Sequence, residues 1–227
     1  MLPLSHLFDV HGLPSYDKQL SLASVVEGRR YSVSYARGVL SFGSDLSFAI
    51  ETLGSQSDYD NTWLWAWANH DIAEWPIEAS RRVQAYGLTH GVAEFVDEQF
   101  TLEAIDGHYL TMIATGLLGA DAYYRCPYDE GAAFVVIQAA PEVRALSDLS
   151  AHSIAKRVID FICRYECRHQ TAVENYLRYK GFTWSYAGRE LTGSGAGGQS
   201  LKARFTSEGH LEQIEAVVTE PVYPPRA

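Results

Sequence analysis

The stretch "NTWLWAWANHD", residues 61–71, puts Trp63, Trp65 and Trp67 at every second position, with Leu64, Ala66 and Ala68 between them. Side chains alternate between the two faces of a strand. Read as a strand, the three indoles share one face and the small or aliphatic residues share the other. Both faces are then apolar, which is the pattern of a strand covered on both sides. The face of small residues lets a helix approach closely. The indole face either joins the core or, if open to solvent, forms an aromatic platform for a ligand. Each indole N–H needs an acceptor when it is buried.

Working outward, the flanks read as antiparallel strands and amphipathic helices. Residues 14–27, "PSYDKQLSLASVVE", suit a helix with Pro14 near its start and Gly28 as its stop. "YSVSYA" alternates cleanly from Tyr31, "RG" at 37–38 turns the chain into "VLSFG", and "LSFAIETLG" makes a third strand. The polar run "SQSDYDN" loops to the tryptophan strand. Pro76 opens a helix through about Tyr86, and Asp106 caps another with Leu110, Ile113 and Leu117 inward. "DAYYRCPY" and "AAFVVIQ" are two more strands joined at "DEG". Beyond Pro141, residues 147–179 carry a helical stripe of Ile154, Val158, Phe161, Ile162 and Tyr165, continued by Val173 and Tyr176. Three strands follow: "FTWSYAG", "LKARFTS" and "LEQIEAVVT". The pattern predicts an α+β fold of antiparallel β-sheets with packed helices. An N-terminal domain spans 1–140, and a C-terminal segment of long helix and strands spans 141–227.

The chain has 227 residues and a formal charge of −10. Residues 1–140 hold 7 Lys/Arg against 18 Asp/Glu, a net of −11, while residues 141–227 hold 11 against 10, a net of +1. An acidic half repels nucleic acid and anionic membrane, so neither is an expected ligand. It attracts a basic partner, or serves only solubility. No apolar run reaches membrane-span length, and the start "MLPLSHLFDVHG" lacks a secretory pattern, so a cytoplasmic location is expected. Three cysteines, Cys126, Cys163 and Cys167, fit reduced thiols.

Here the residues around the tryptophans bear on family. "TWLWAWAN" at 62–69, with "LGS" at 53–55 before it and "YG" at 86–87 after it, resembles a bacterial family of domains of unknown function with a W-x-W-x-W-A-N core motif. The resemblance covers roughly residues 15–140, and Trp63, Trp65, Trp67 and Asn69 carry it. It implies no established reaction. It implies a setting like that of immunity proteins, which neutralise toxins delivered between bacteria.

The remaining constellations are weak. "GSGAGG" at 193–198 matches G-x-G-x-x-G, but strand-like sequence follows it where a dinucleotide site needs a helix. "CRYECRH" offers Cys163, Cys167 and His169 without the paired spacing of a structural zinc site. No metal and no cofactor is therefore expected. "NHDIAE" places His70, Asp71 and Glu74 just past the tryptophans, where they could work as acid and base in a small hydrolase. No nucleophile motif accompanies them. The leading expectation is an immunity or antitoxin protein that occludes a cognate toxin through an acidic surface. Asp58 and Asp60 before the tryptophan strand, and Asp97 and Glu98 after "GVAEF", are the candidate contacts. The hydrolase and a small-ligand-binding protein remain as alternatives.

Overall fold

The computed structural model describes residues 2–72, 74–103, 105–146 and 150–217. The fold is α+β, with antiparallel sheets and packed helices. Two compact units form, Met1–Ser147 and Asp148–Ala227.

The first unit opens with α1 (Leu4–Val26), which starts ten residues before Pro14. The proline removes the hydrogen bond that would reach the Val10 carbonyl, yet the helix runs through it. Leu4, Leu7 and Phe8 are buried, and Phe8 stacks on Tyr109 at 3.9 Å. Burial of that upstream turn outweighs the lost bond. Gly28, at φ +70°, ends the helix region in the left-handed conformation.

Strands β1 (Tyr31–Ser34), β2 (Val39–Phe42) and β3 (Leu46–Ser57) then run antiparallel. β3 is longer than the sequence pattern predicts: Ser55, Gln56 and Ser57 are strand, not loop. Their backbones pair on one side with β4 (Thr62–Trp65) and on the other with β7 (Gly131–Ile137). Hydrogen bonds from both edges override the polar composition. β5 (Gln99–Thr101) adds to β4, and β6 (Ala122–Tyr128) adds to β7. β7 is buried along its whole length.

Trp63 and Trp65 lie on one face of this sheet, both fully buried. They contact each other edge to face at 5.2 Å, and Phe134 and Phe95 complete the cluster. Gly54 sits opposite Trp65. A Cβ there would lie 2.6 Å from the Trp63 ring and 2.6 Å from the Leu64 carbonyl oxygen, so this position must be glycine for the Trp63 indole to pack against the strand. The Trp65 indole donates to the Glu94 carbonyl at 2.7 Å. The Trp63 and Trp67 indole nitrogens are buried without an acceptor among the described residues.

The strand does not extend to Trp67. β4 stops at Trp65 and a 3-10 turn, Ala66–Ala68, follows. The edge of β3 that a longer β4 would need is already taken. Thr52 N donates to the Pro76 carbonyl, and Ser80 Oγ donates to the Leu53 carbonyl. The segment leading into α2 (Glu78–His90) therefore ends the pairing, and Trp67 leaves the shared face as a half-buried residue.

Helix α3 (Gly107–Leu118) is capped by Asp106, whose side chain accepts from Tyr109 N. It packs on α1, where Ser15 Oγ donates to the Met112 carbonyl at 2.7 Å and His11 lies against Gly116. A Cβ at Gly116 would come within 2.6 Å of the His11 ring. A short helix α4 (Pro141–Ala145) closes the unit.

In the second unit α5 (Ala151–Ile162) and α6 (His169–Tyr179) are separate helices, so the expected long helix is broken at 163–168. One helix over 151–179 would run about 43 Å, against roughly 20 Å across four strands spaced about 4.8 Å apart. Folding back lets Val158 and Phe161 of α5 and Val173 and Tyr176 of α6 all be buried. The sheet has four strands where the sequence suggests three: β8 (Thr183–Ala187), β9 (Glu190–Ser194), β10 (Ser200–Phe205) and β11 (Leu211–Val217), in meander order. β9 escapes pattern reading because "ELTGS" holds one apolar side chain, Leu191. The glycine-rich run is the β9–β10 connection, with a 3-10 turn at Ala196–Gly198.

Two outcomes follow for stability. Trp65→Ala removes a fully buried ring and its hydrogen bond, and should cost about 3–5 kcal/mol in denaturant unfolding. Burial, followed by the charges of Lys18 and His6, pushes the His11 imidazole down to about 4. Between that value and the ordinary 6.5 the folded state binds fewer protons than the unfolded chain, so stability falls as pH drops. Urea unfolding should show a loss of about 2 kcal/mol between pH 7 and pH 5 from this group, and His11→Gln should remove that share of the slope.

Candidate functional site

On the face of the sheet opposite Trp63 and Trp65, a patch around Ser55 is lined mostly by short side chains. Ser55 pairs with Leu64 on one side and with Ala133 on the other, so these three form one row across β4, β3 and β7. A cavity of about 150 Å³ lies over this row. Its floor is made by the buried residues Thr52, Gly54, Ala66 and Ala133. Its rim includes Tyr35, Asn69, Ile72, Trp75 and the exposed Tyr128.

The segment after β4 builds one wall. A 3-10 turn at His70–Ile72 repeats every three residues, so positions three apart point the same way. Asn69, Ile72 and Trp75 line the cavity at that spacing, while His70, Asp71 and Glu74 are exposed. Asn69 Oδ1 accepts from Asp71 N at 3.0 Å, which fixes the turn. Trp75 stacks on Tyr35 at 4.4 Å with the rings 9° from parallel. Burial, then the nearby Cys126 thiol, raises the pKa of the Tyr35 hydroxyl well above the ordinary tyrosine range. Burial likewise pushes the Cys126 thiol up to about 11. Thr52 Oγ1 is buried and has no hydrogen-bond partner among the described residues.

The sequence candidates fall in three places. His70, Asp71 and Glu74 do not converge: no hydrogen bond or ion pair joins them among the described residues, and none lines the cavity. Asp58 and Asp60 stand in the β3–β4 loop at one end of β4. Asp97 and Glu98 stand at the other end, where the Glu98 carbonyl accepts from Trp65 N. The four carboxylates therefore form two separate groups, about 13 Å apart along a four-residue strand.

Other acids join the first group. Asp58 N donates to the Glu130 carbonyl at 2.8 Å, which sets the β3–β4 loop beside the β6–β7 turn. Asp58, Asp60, Asp129 and Glu130 are thereby gathered at one tip of the sheet, together with Tyr59, 88% exposed, and Tyr128. Arg125 is the cation near them, 3.7 Å from Asp58. Hydrogen bonding with Ser57 and Thr62 holds the Asp60 carboxyl below its ordinary range. The sequence marks 129–131 as a turn but carries no signal that this turn sits beside the end of β3.

In the second unit, a groove of about 450 Å³ runs between the start of α6 and the β10–β11 turn. His169 Nδ1 accepts from Leu211 N at 3.0 Å and its ring lies 5.2 Å from that of His210. Burial, then His210, lowers its basicity, so His169 works as a neutral acceptor that ties helix to strand. Among the described residues no three His, Cys, Asp or Glu side chains group as metal ligands. No described helix is long and apolar enough to cross a membrane.

With the geometry in place, the profile of a family of unknown function, DUF6882, matches residues 5–140. The chain belongs to the DUF6882 family. The matched span covers α1 from its first turn through β7, so it includes the tryptophan cluster, the cavity and the acidic tip. It begins about ten residues earlier than the resemblance read from the motif, because α1 itself begins earlier. No curated protein and no solved structure matches this DUF6882 chain.

Thiol chemistry checks this arrangement. Cys163 is exposed, Cys167 half-buried and Cys126 buried. Under native conditions an aromatic disulfide reagent should modify Cys163 first, and Cys126 only on unfolding, because the thiolate is the reactive form. Peptide mapping of the labelled protein reads the order.

Proposed function

We propose that this DUF6882 chain is a cytoplasmic binding protein of the immunity type, which occludes a basic site on a cognate toxin with the acidic tip of its first unit. One observation supports the reading above others: the Asp58–Glu130 backbone hydrogen bond, which joins two turns far apart in sequence into one surface. Four carboxylates there surround two exposed tyrosines. Carboxylates steer a basic partner into contact, and exposed tyrosine supplies the anchor that charge alone does not. The net of −11 in the first 140 residues adds long-range attraction. Asp97 and Glu98 lie outside this surface and serve as secondary attraction only. The reading does not use His70, Asp71 and Glu74, whose exposed and separate side chains lack the convergence that acid–base catalysis needs.

The test is co-expression with the product of the neighbouring gene, followed by binding kinetics at several salt concentrations. Association should slow as salt rises. Asp58→Lys with Asp60→Lys should lower the on-rate by about tenfold and weaken protection of cells, with stability nearly unchanged because both side chains are exposed. Tyr59→Ala should act on the off-rate. Absence of binding overturns the proposal. So does protection that survives without binding but is lost in His70→Ala, which would install the hydrolase instead.

A further inference from the structure

We infer that the 150 Å³ cavity on the small-residue face of the sheet is a binding site for a free, uncharged, single-ring compound that carries one hydrogen-bonding group, of the size and polarity of a phenol. This goes beyond the proposed partner surface and does not rest on it. The volume is the first argument: a cavity of about 150 Å³ accepts a benzene-sized ring. The lining is the second. Leu64, Ala66, Ile72 and Ala133 are apolar, the stacked Tyr35–Trp75 pair supplies aromatic surface, and no charged side chain contributes. An ionised ligand would lose its hydration there without compensation.

Thr52 is the third argument and sets the polar group. It belongs to the floor, is 3% exposed, and its hydroxyl has no hydrogen-bond partner among the described residues. Its backbone N–H is already used by the Pro76 carbonyl. Its strand neighbours in the core are Ile50 and, across the ladder, Val135, so valine would fill the same shape without a buried unmade hydrogen bond. A hydroxyl at that depth is explained by a ligand group that pairs with it. Asn69 also borders the cavity, with its Oδ1 already engaged by Asp71 N, so Thr52 offers the buried hydroxyl without a partner among the described residues. The rim itself is built of half-buried side chains and the exposed Tyr128, which gives a ring a route in.

Nuclear magnetic resonance titration of the intact chain with phenol, and in parallel with benzene, tests the inference. Phenol should bind saturably and shift the amides of Thr52, Ser55, Asn69 and the Trp75 indole. Thr52→Val should weaken phenol by about 2- to 10-fold, the worth of one hydrogen bond, and leave benzene within about twofold. Ala133→Leu should fill the floor and abolish both; should that variant not fold, the Thr52→Val comparison decides alone. N-acetyltyrosine amide, whose ring carries a bulky substituent, should bind at least about tenfold more weakly than phenol. Shifts that map elsewhere, an unchanged phenol-to-benzene ratio in Thr52→Val, or equal binding of the tyrosine amide would each overturn the inference. The last would give the cavity to a side chain of a protein partner.

Discussion

Between Gly54 and Ser57, strand β3 is hydrogen-bonded to β4 on one edge and β7 on the other, and at Gly54 it gives up its side chain to the indole of Trp63. A methyl group there would meet a carbonyl oxygen on one side and a buried ring on the other. The strand cannot shift by one residue either, because the row Leu64–Ser55–Ala133 would then turn toward the indole layer. The closeness of the packing on one face thus fixes which small side chains appear on the other.

The cavity is a consequence of that arrangement. The two indoles of β4 lie on one face, so around Ser55 the opposite face is left with Thr52, Ala133, Ala66 and Leu64. The chain after Trp65 cannot continue as a strand, because Pro76 and Ser80 hold the edge of β3. It instead coils over the small-residue face and supplies a wall at three-residue spacing. A structural event, the end of β4, is therefore also what creates a concave site. The same event leaves His70, Asp71 and Glu74 exposed, outside the lining of the cavity.

The acidic tip has a different origin. It needs no special packing, only the register of β3 against β7, which ends with Ser57 opposite Gly131. The turns that follow must then lie side by side. Asn61 and Glu130, both at positive φ, let the two turns close tightly. Repulsion among the gathered carboxylates is relieved in part by Arg125 and by the hydrogen bonds made with Ser57 and Thr62. Such a surface costs the fold little because its charges remain in water, and it is available to a cation-rich partner.

Several features were determined by the sequence itself. Alternation placed Trp63 and Trp65 on one face, Asp106 capped its helix, and Gly28 ended the first one, because these depend on local periodicity and backbone conformation. Other features depended on contacts between distant residues. The run of tryptophans reads as one strand, yet Trp67 leaves it because Pro76 and Ser80, further along the chain, occupy the pairing edge. Pro14 reads as a helix start, yet the buried turn before it extends the helix. "ELTGS" reads as nothing, yet pairing on both edges makes it a strand. Asp58 and Glu130 are neighbours only through the β3–β7 ladder, and the cavity exists only where three strands meet Asn69, Ile72 and Trp75. Local rules act over a few residues, whereas strand edges, registers and cavities are shared between segments whose separation in sequence carries no signal of their contact.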